Sequence, residues 1–342
     1  MSEYILNSNN TYNVDPYYNR NCHWMKSLNT PMYPTTSTAV QLDPLIMSEI
    51  IKKFTLIAPI KNALSARKIN NLSYICVASG LARNTELQIE IKHTNANEYD
   101  FRPSFIVQGS NMKSIEEALS YINLIIEKSR LITKLDIVME INDISIFNQL
   151  LQPVLESDKC ILTHLLLRRR YCGQKLPIIV NLIKKHRKTL KQIKRIGLSE
   201  AVECFNEDIN LTSVSIMNFD IVNNGDFEGD DLNDRSSQMM FQLGESGVTF
   251  SHLSYTTYTG FDLTNTSILT MLRKCQVKSL RITMQKGSPI SSCLYTKSLL
   301  DDLLELELVG DIAKPTGDLN ILFPNLKHFL YSNKNLAHGP PN

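Results

Sequence analysis

The stretch 211–221, Leu-Thr-Ser-Val-Ser-Ile-Met-Asn-Phe-Asp-Ile, puts Leu211, Val214, Ile216, Phe219 and Ile221 at offsets 0, 3, 5, 8 and 10. A step of two keeps side chains on one face of a strand, and the steps of three on either side carry the chain into and out of it. The first three positions recur from Ile132, Leu162, Ile193, Phe250, Val277, Leu303 and Leu326, with successive starts 18 to 39 residues apart. In a chain that is 43% hydrophobic such a spacing recurs by chance. The weight therefore falls on the intervening segments, which read as helices at 144–155, 176–186, 238–243, 267–272 and 295–304. A strand and a helix per unit lets each unit cover its neighbour's apolar face.

This is the pattern of a leucine-rich repeat, whose period is about 20 to 29 residues. The fold class expected is α/β: a small N-terminal helical domain, then an irregular leucine-rich-repeat solenoid with a parallel sheet and outer helices. The last unit, Phe323-Pro-Asn-Leu326-Lys-His-Phe329-Leu-Tyr331, resembles the Phe-Pro-Asn-Leu stretch common in such repeats. A stacked array extends its core lengthwise, so 342 residues suit one solenoid with an appendage.

Residues 1–41 are rich in Asn, Tyr, Ser, Thr and Pro without periodicity and read as a disordered arm. From residue 42 Asp43 suits a cap, Pro44 the first helical turn, and Met47, Ile50, Ile51 and Phe54 recur on one face. After Pro59 a second helical pattern carries Ile60, Leu64, Ile69, Leu72 and Ile75. Residues 42–78 resemble an F-box: Leu42, then Glu49-Ile-Ile-Lys-Lys-Phe54, then Leu64-Ser-Ala-Arg67-Lys68-Ile69, with the motif's early proline displaced to Pro44. The alternating segment 87–91 and the run 105–107 are similar to the hairpin that follows the box in the large nematode F-box group. The domains expected are the arm, a box at 42–78, connecting strands at 79–110 and repeats at 111–338.

The resemblance implies the substrate-recognition subunit of a cullin-RING ubiquitin ligase. Leu45, Met47, Ile50, Ile51 and Leu64 would bind a Skp-type adaptor, a cullin would join through it, and the repeats would hold a protein substrate. A non-ligase repeat scaffold, with 42–78 capping the solenoid, is the alternative. The physical difference is whether the aliphatic side chains of the first helix are exposed as a patch or buried against the body.

Charge narrows the remaining classes. The net charge of +2 provides no global field for nucleic acid or membrane, so any electrostatic function is local. From Arg168 to Arg195 every charged side chain is basic, and from 196 to 234 every one is acidic. Arg168, Arg169, Arg170, Lys184, Lys185 and Arg187 are the candidate partner-binding patch, against which stands mutual neutralisation between adjacent repeats. Tyr171 is the one aromatic inside the run, which disfavours nucleic acid. An acidic, exposed loop is expected at 223–231.

No Gly-rich phosphate loop, nucleophile elbow or His-Glu-x-x-His helix is present, which argues for a non-catalytic protein without cofactor or metal. The seven cysteines are spread without a Cys-x-x-Cys pair and suit reduced, mostly buried thiols in a cytoplasmic or nuclear protein. No apolar run reaches the length of a membrane span.

Overall fold

The structure, a computed structural model, describes residues 44–57, 59–66, 71–95, 101–140, 143–169, 175–205, 214–223, 232–257, 263, 265–287, 298–312 and 318–333. The expected arm at 1–41, Arg67, Lys68, Arg170, Tyr171, Leu211 and residues 224–231 of the acidic loop lie outside the described residues. Internal contacts divide the chain into two units, Met1–Met47 and Ser48–Asn342. The first helix starts in the first unit, and every other described element belongs to the second.

Three helices come first: α1 (Pro44–Ile57), α2 (Ile60–Ala66) and α3 (Asn71–Arg83). Next comes a hairpin, formed by β1 (Glu86–Asn95), β2 (Phe101–Val107) and β3 (Ser110–Met112). Gln108 and Gly109 both adopt positive φ, 46° and 70°, the backbone that a two-residue turn between twisted strands requires. Strand and helix then alternate: α4 (Ile115–Lys128), β4 (Ile132–Met139), α5 (Ile144–Glu156), β5 (Cys160–Arg169), α6 (Pro177–His186), β6 (Gln192–Gly197) and α7 (Leu198–Phe205). The alternation continues through β7 (Ser215–Asn223), α8 (Leu232–Glu245), β8 (Thr249–Thr257), α9 (Thr266–Lys274) and β9 (Ser279–Gly287); β10 (Glu305–Ile312) follows with no described helix between, and α10 (Leu319–Leu322) and β11 (His328–Asn333) come last.

Side-chain caps set the helix starts. Asp143 accepts the Ser145 N–H at 2.9 Å before α5, Asn265 accepts the Ser267 N–H at 2.9 Å before α9, and Ser114 accepts the Glu117 N–H before α4. Pro153 lies in the last turn of α5, which ends three residues later.

All eleven strands form one sheet in the order β11-β10-β9-β8-β7-β6-β5-β4-β1-β2-β3. From β4 to β11 each strand pairs parallel with the next in sequence, β1 joins β4 parallel, and only β1–β2 and β2–β3 are antiparallel. Helices α4 to α9 each touch the next, so they form one layer over one face of the sheet. That face holds the core: Leu135 and Ile137, Leu165 and Leu167, Ile216 and Phe219, Leu253 and Tyr255, Leu280 and Ile282, and Leu306 and Leu308 are all buried. Phe205 meets Phe219 edge-on with centroids 5.9 Å apart, and Phe219 stacks on Phe250 at 4.5 Å.

Two glycines mark close approaches. A Cβ on Gly244 of α8 would lie 2.8 Å from the Met271 Cα of α9, which sets how near those helices come. Gly310, at φ +130° beside the register shift between β9 and β10, would put a Cβ 1.8 Å from the Met284 carbonyl oxygen.

Several expected boundaries move. The strand expected from Leu211 begins at Ser215 and runs on to Asn223. Helix α7 was not expected; β6 is only six residues long, and the chain turns directly from Gly197 into a helix whose Ala201, Cys204 and Phe205 are buried. The helix expected at 295–304 is not one over its described part, 298–304. There the backbone N–H groups of Leu299 and Leu300 donate to the Leu322 carbonyl rather than to a preceding turn, while Leu299, Leu300 and Leu303 still enter the core. No described helix is long and apolar enough to cross a membrane. The described cysteines, Cys76, Cys160, Cys204 and Cys275, are buried thiols not joined in disulfides, and burial pushes the Cys275 thiol up to about 12.

Candidate functional site: the open face of the sheet

Period-two alternation that sends one set of strand residues to the helices sends the other set to the opposite face. Strand register aligns that second set into rows. One runs Glu86, Lys134, His164, Gln192, Asn218, His252, Ser279, Glu305, His328 across β1 and β4 to β11, each in register with the next. A second runs Gln88, Asp136, Leu166, Lys194 and, past a register shift in β6–β7, Asp220, Ser254, Arg281, Glu307, Leu330. A sheet layered on one side thus presents a mostly polar and charged surface on the other, interrupted by Leu166 and Leu330.

Two adjoining grooves lie on this face. One, of about 310 Å³, is lined by Gln192, Lys194, Asn218, Asp220, His252 and Arg281 among others. The second, of about 590 Å³, continues over Ser279, Glu305, Glu307, Lys327, His328 and Leu330. Both are open depressions along strands.

Hydrogen bonds fix the state of the two histidines. Ser279 has one hydroxyl proton and donates it to Glu305 Oε2 at 2.7 Å, so its oxygen accepts from His252 Nδ1 at 2.7 Å. Thr163 likewise donates to the Thr133 carbonyl at 3.1 Å and accepts from His164 Nδ1 at 2.8 Å. In both rings Nε2 is left as the nitrogen that gains or loses a proton. Burial lowers the proton affinity of His252, with Arg281 in the same direction and Glu305, Glu307 and Asp220 opposing it. Burial also lowers that of His164, together with Lys134, Lys191 and Lys194 and against Glu86.

At the centre, Asp220 Oδ1 is buried and receives no hydrogen bond. Burial raises the carboxyl above its usual range, and the Ser254 hydroxyl, Arg195, Lys194 and Arg281 only partly offset that. Asp220 also lines the first groove, although this oxygen is itself shielded from solvent. Among the described residues no group of three His, Cys, Asp or Glu side chains is placed to hold a metal ion.

The residues expected to bind partners fall elsewhere. On α1, Leu45 is 77% and Ile50 50% exposed, Met47 and Ile51 are half-buried, and Ile51 packs against the core as does Leu64 of α2. The basic run does not form one exposed surface. Arg168 pairs with Asp136 of the neighbouring strand through Nε at 3.3 Å and through NH2. Arg169 is buried against Glu200, which removes it from any exposed patch. Lys185 caps the end of α5, with Nζ donating to the Leu155 and Ser157 carbonyls at 2.6 and 2.9 Å. Lys184 and Arg187 are half-buried at the end of α6, and Lys175 pairs with Glu203. Among the described basic residues of the run, Arg168, Arg169 and Lys175 meet carboxylates and Lys185 meets carbonyls, while Lys191 and Lys194 are exposed.

Sequence reasoning missed Lys134, Asp220, Ser279, Arg281, Glu305 and Glu307 as members of one site. The signal was the outward position of each strand, two residues from a core position, but only the register brings those positions together. No protein-family model matches this chain, and no curated protein matches it.

Proposed function

We propose that the chain is the substrate receptor of a cullin-RING ubiquitin ligase, with an F-box-like segment over α1–α3 that recruits a Skp-type adaptor and a leucine-rich-repeat-like body that holds a protein substrate. The observation that carries this reading is α1, where Leu45, Ile46 and Ile50 are 77%, 53% and 50% exposed. Large aliphatic side chains exposed on one short helix suit an interface centred on a few buried anchors. The polar open face supports the second half, because it offers hydrogen-bonding groups in register across eight parallel neighbours. Such a receptor does no covalent chemistry; it raises the effective concentration of an acceptor lysine near the charged conjugating enzyme.

The test is capture of a Skp-type adaptor and a cullin by the full chain. Wild type is expected to bring down both, and Leu45→Asp/Ile50→Asp neither, with the melting temperature unchanged. Ile51 and Leu64 are left intact because they pack against the core. Absence of both partners from the wild-type capture, where a known F-box protein retains them, overturns the reading. The second reading, a repeat scaffold in which the N-terminal helices cap the sheet, is favoured by the burial of Val77 and Leu81 of α3 in the same core.

A further inference from the structure

Lys134 of β4, Lys191 just before β6 and Lys194 within β6 all act electrostatically on His164 of β5, and all three are exposed. They approach it from both neighbouring strands: Lys134 and Gln192 flank His164 in register, and Lys194 is in register with Leu166, two residues on. Glu86, in register with Lys134 on β1, is the carboxylate facing the same ring. Among the described residues none of the three lysines forms an ion pair, whereas Arg168 and Arg169 on the same strand as His164 are both matched by carboxylates. Like charges gathered around one ring repel one another, an arrangement that an incoming anion relieves.

We propose that this lysine ring on the open face of β4–β6 seats an acidic segment of a protein partner, whose carboxylate or phosphoserine side chains meet Lys134, Lys191 and Lys194. The assignment rests on the reading that the open face holds a protein, and it names the chemistry of that protein. Geometry favours an extended peptide. Lys134 and Lys194 stand two strand spacings across and two residues along from each other, about 12 Å, while alternate side chains of an extended chain recur at about 7 Å, so two or three acidic residues span the ring. His164 sits beneath with Nε2 free to take a proton, as Thr163 holds Nδ1–H. A bound anion favours the imidazolium, so binding takes up a proton and strengthens as pH falls below the ordinary histidine range.

The full chain is titrated against a fluorescein-labelled octaglutamate peptide, a phosphoserine peptide of equal length and an oligothymidylate of eight nucleotides, followed by fluorescence anisotropy. Both acidic peptides are expected to bind, and their relative affinity separates a carboxylate source from a phosphate one. Lys134→Gln/Lys191→Gln/Lys194→Gln is expected to weaken binding about tenfold or more with no change in melting temperature, and added salt to act likewise. Lys184→Gln, on α6, leaves binding unchanged. His164→Gln abolishes the strengthening below about pH 6.5. Equal binding by the triple variant, binding by neither peptide, or a tighter complex with the oligonucleotide overturns the proposal. Adaptor capture through α1 is measured separately, so its failure and the failure of this surface are told apart.

Discussion

Arg169 and Glu200, 31 residues apart in the chain, form a two-pronged ion pair inside the protein. Nη1 meets Oε1 at 3.1 Å, Nη2 meets Oε2 at 2.9 Å, and both side chains are 2% exposed. The carboxylate also accepts the Leu176 N–H at 2.8 Å and the Gly197 N–H at 3.1 Å. Leu176 is the residue before α6, and Gly197 the residue before α7, of which Glu200 is the third. One carboxylate thus ties the starts of two helices to the end of β5.

Removing either partner leaves a buried charge without its counter-ion. Arg169→Met or Glu200→Ala is expected to lower unfolding free energy by about 3–5 kcal/mol. Arg169→Met/Glu200→Met together is expected to cost less than the sum, measured as a double-mutant cycle by urea denaturation. Equal costs for a control such as Lys175→Met, whose pair with Glu203 is exposed, would show that burial is not the cause.

His186 ends α6 only 4% exposed, with Nε2 receiving no partner. Burial, aided by the Lys185 ammonium, pushes its imidazole down to about 4. The unfolded chain therefore binds the proton more readily than the folded one between pH 6.5 and that value. Stability is complete above this window and is lost as pH falls through it, by about 2 kcal/mol between pH 7 and pH 5. His186→Leu is expected to remove that slope in denaturation curves at the two pH values; an unchanged slope would place the acid sensitivity elsewhere.

Asp220 has the opposite sign. Its folded carboxyl binds a proton more tightly than the unfolded one, so stability declines as pH rises from the ordinary carboxylate range through the folded value. Asp220→Asn removes the buried charge while keeping the shape. At neutral pH it is expected to stabilise the fold by on the order of 1 kcal/mol, the desolvation cost of a polar atom without a donor. A lower melting temperature for this variant at pH 7 would mean that the carboxylate supports the fold instead.

The apolar spacing that starts at Leu211 marks core positions correctly even where the strand boundary moves. Val214, Ile216, Phe219 and Ile221 are 5% exposed or less, although β7 starts four residues after Leu211. Core positions are set by side-chain periodicity, which is local, whereas strand limits are set by which backbone groups find partners. Helix α7 escaped notice for a related reason: its eight residues carry a short apolar face, and the contact that orders it, Glu200 to Arg169, lies far off in sequence.

The same division runs through the candidate site. Sequence alone determined most of the alternation of strand and helix, though not α7 or the segment before β10, and with it the residues that face the core and, by exclusion, those that face away, because apolar burial acts through a period each segment carries within itself. Tertiary structure decided which outward residues become neighbours. Lys134, His164 and Lys194 come from three separate strands and meet only because β4, β5 and β6 pair in one register, and a slip of one residue would have turned each of them toward the core. It also decided that Arg169 is a structural cation and that Asp220 is left with an unsatisfied oxygen, since the dielectric and hydrogen-bond surroundings of a charge belong to the packed molecule and not to the segment that contributes it.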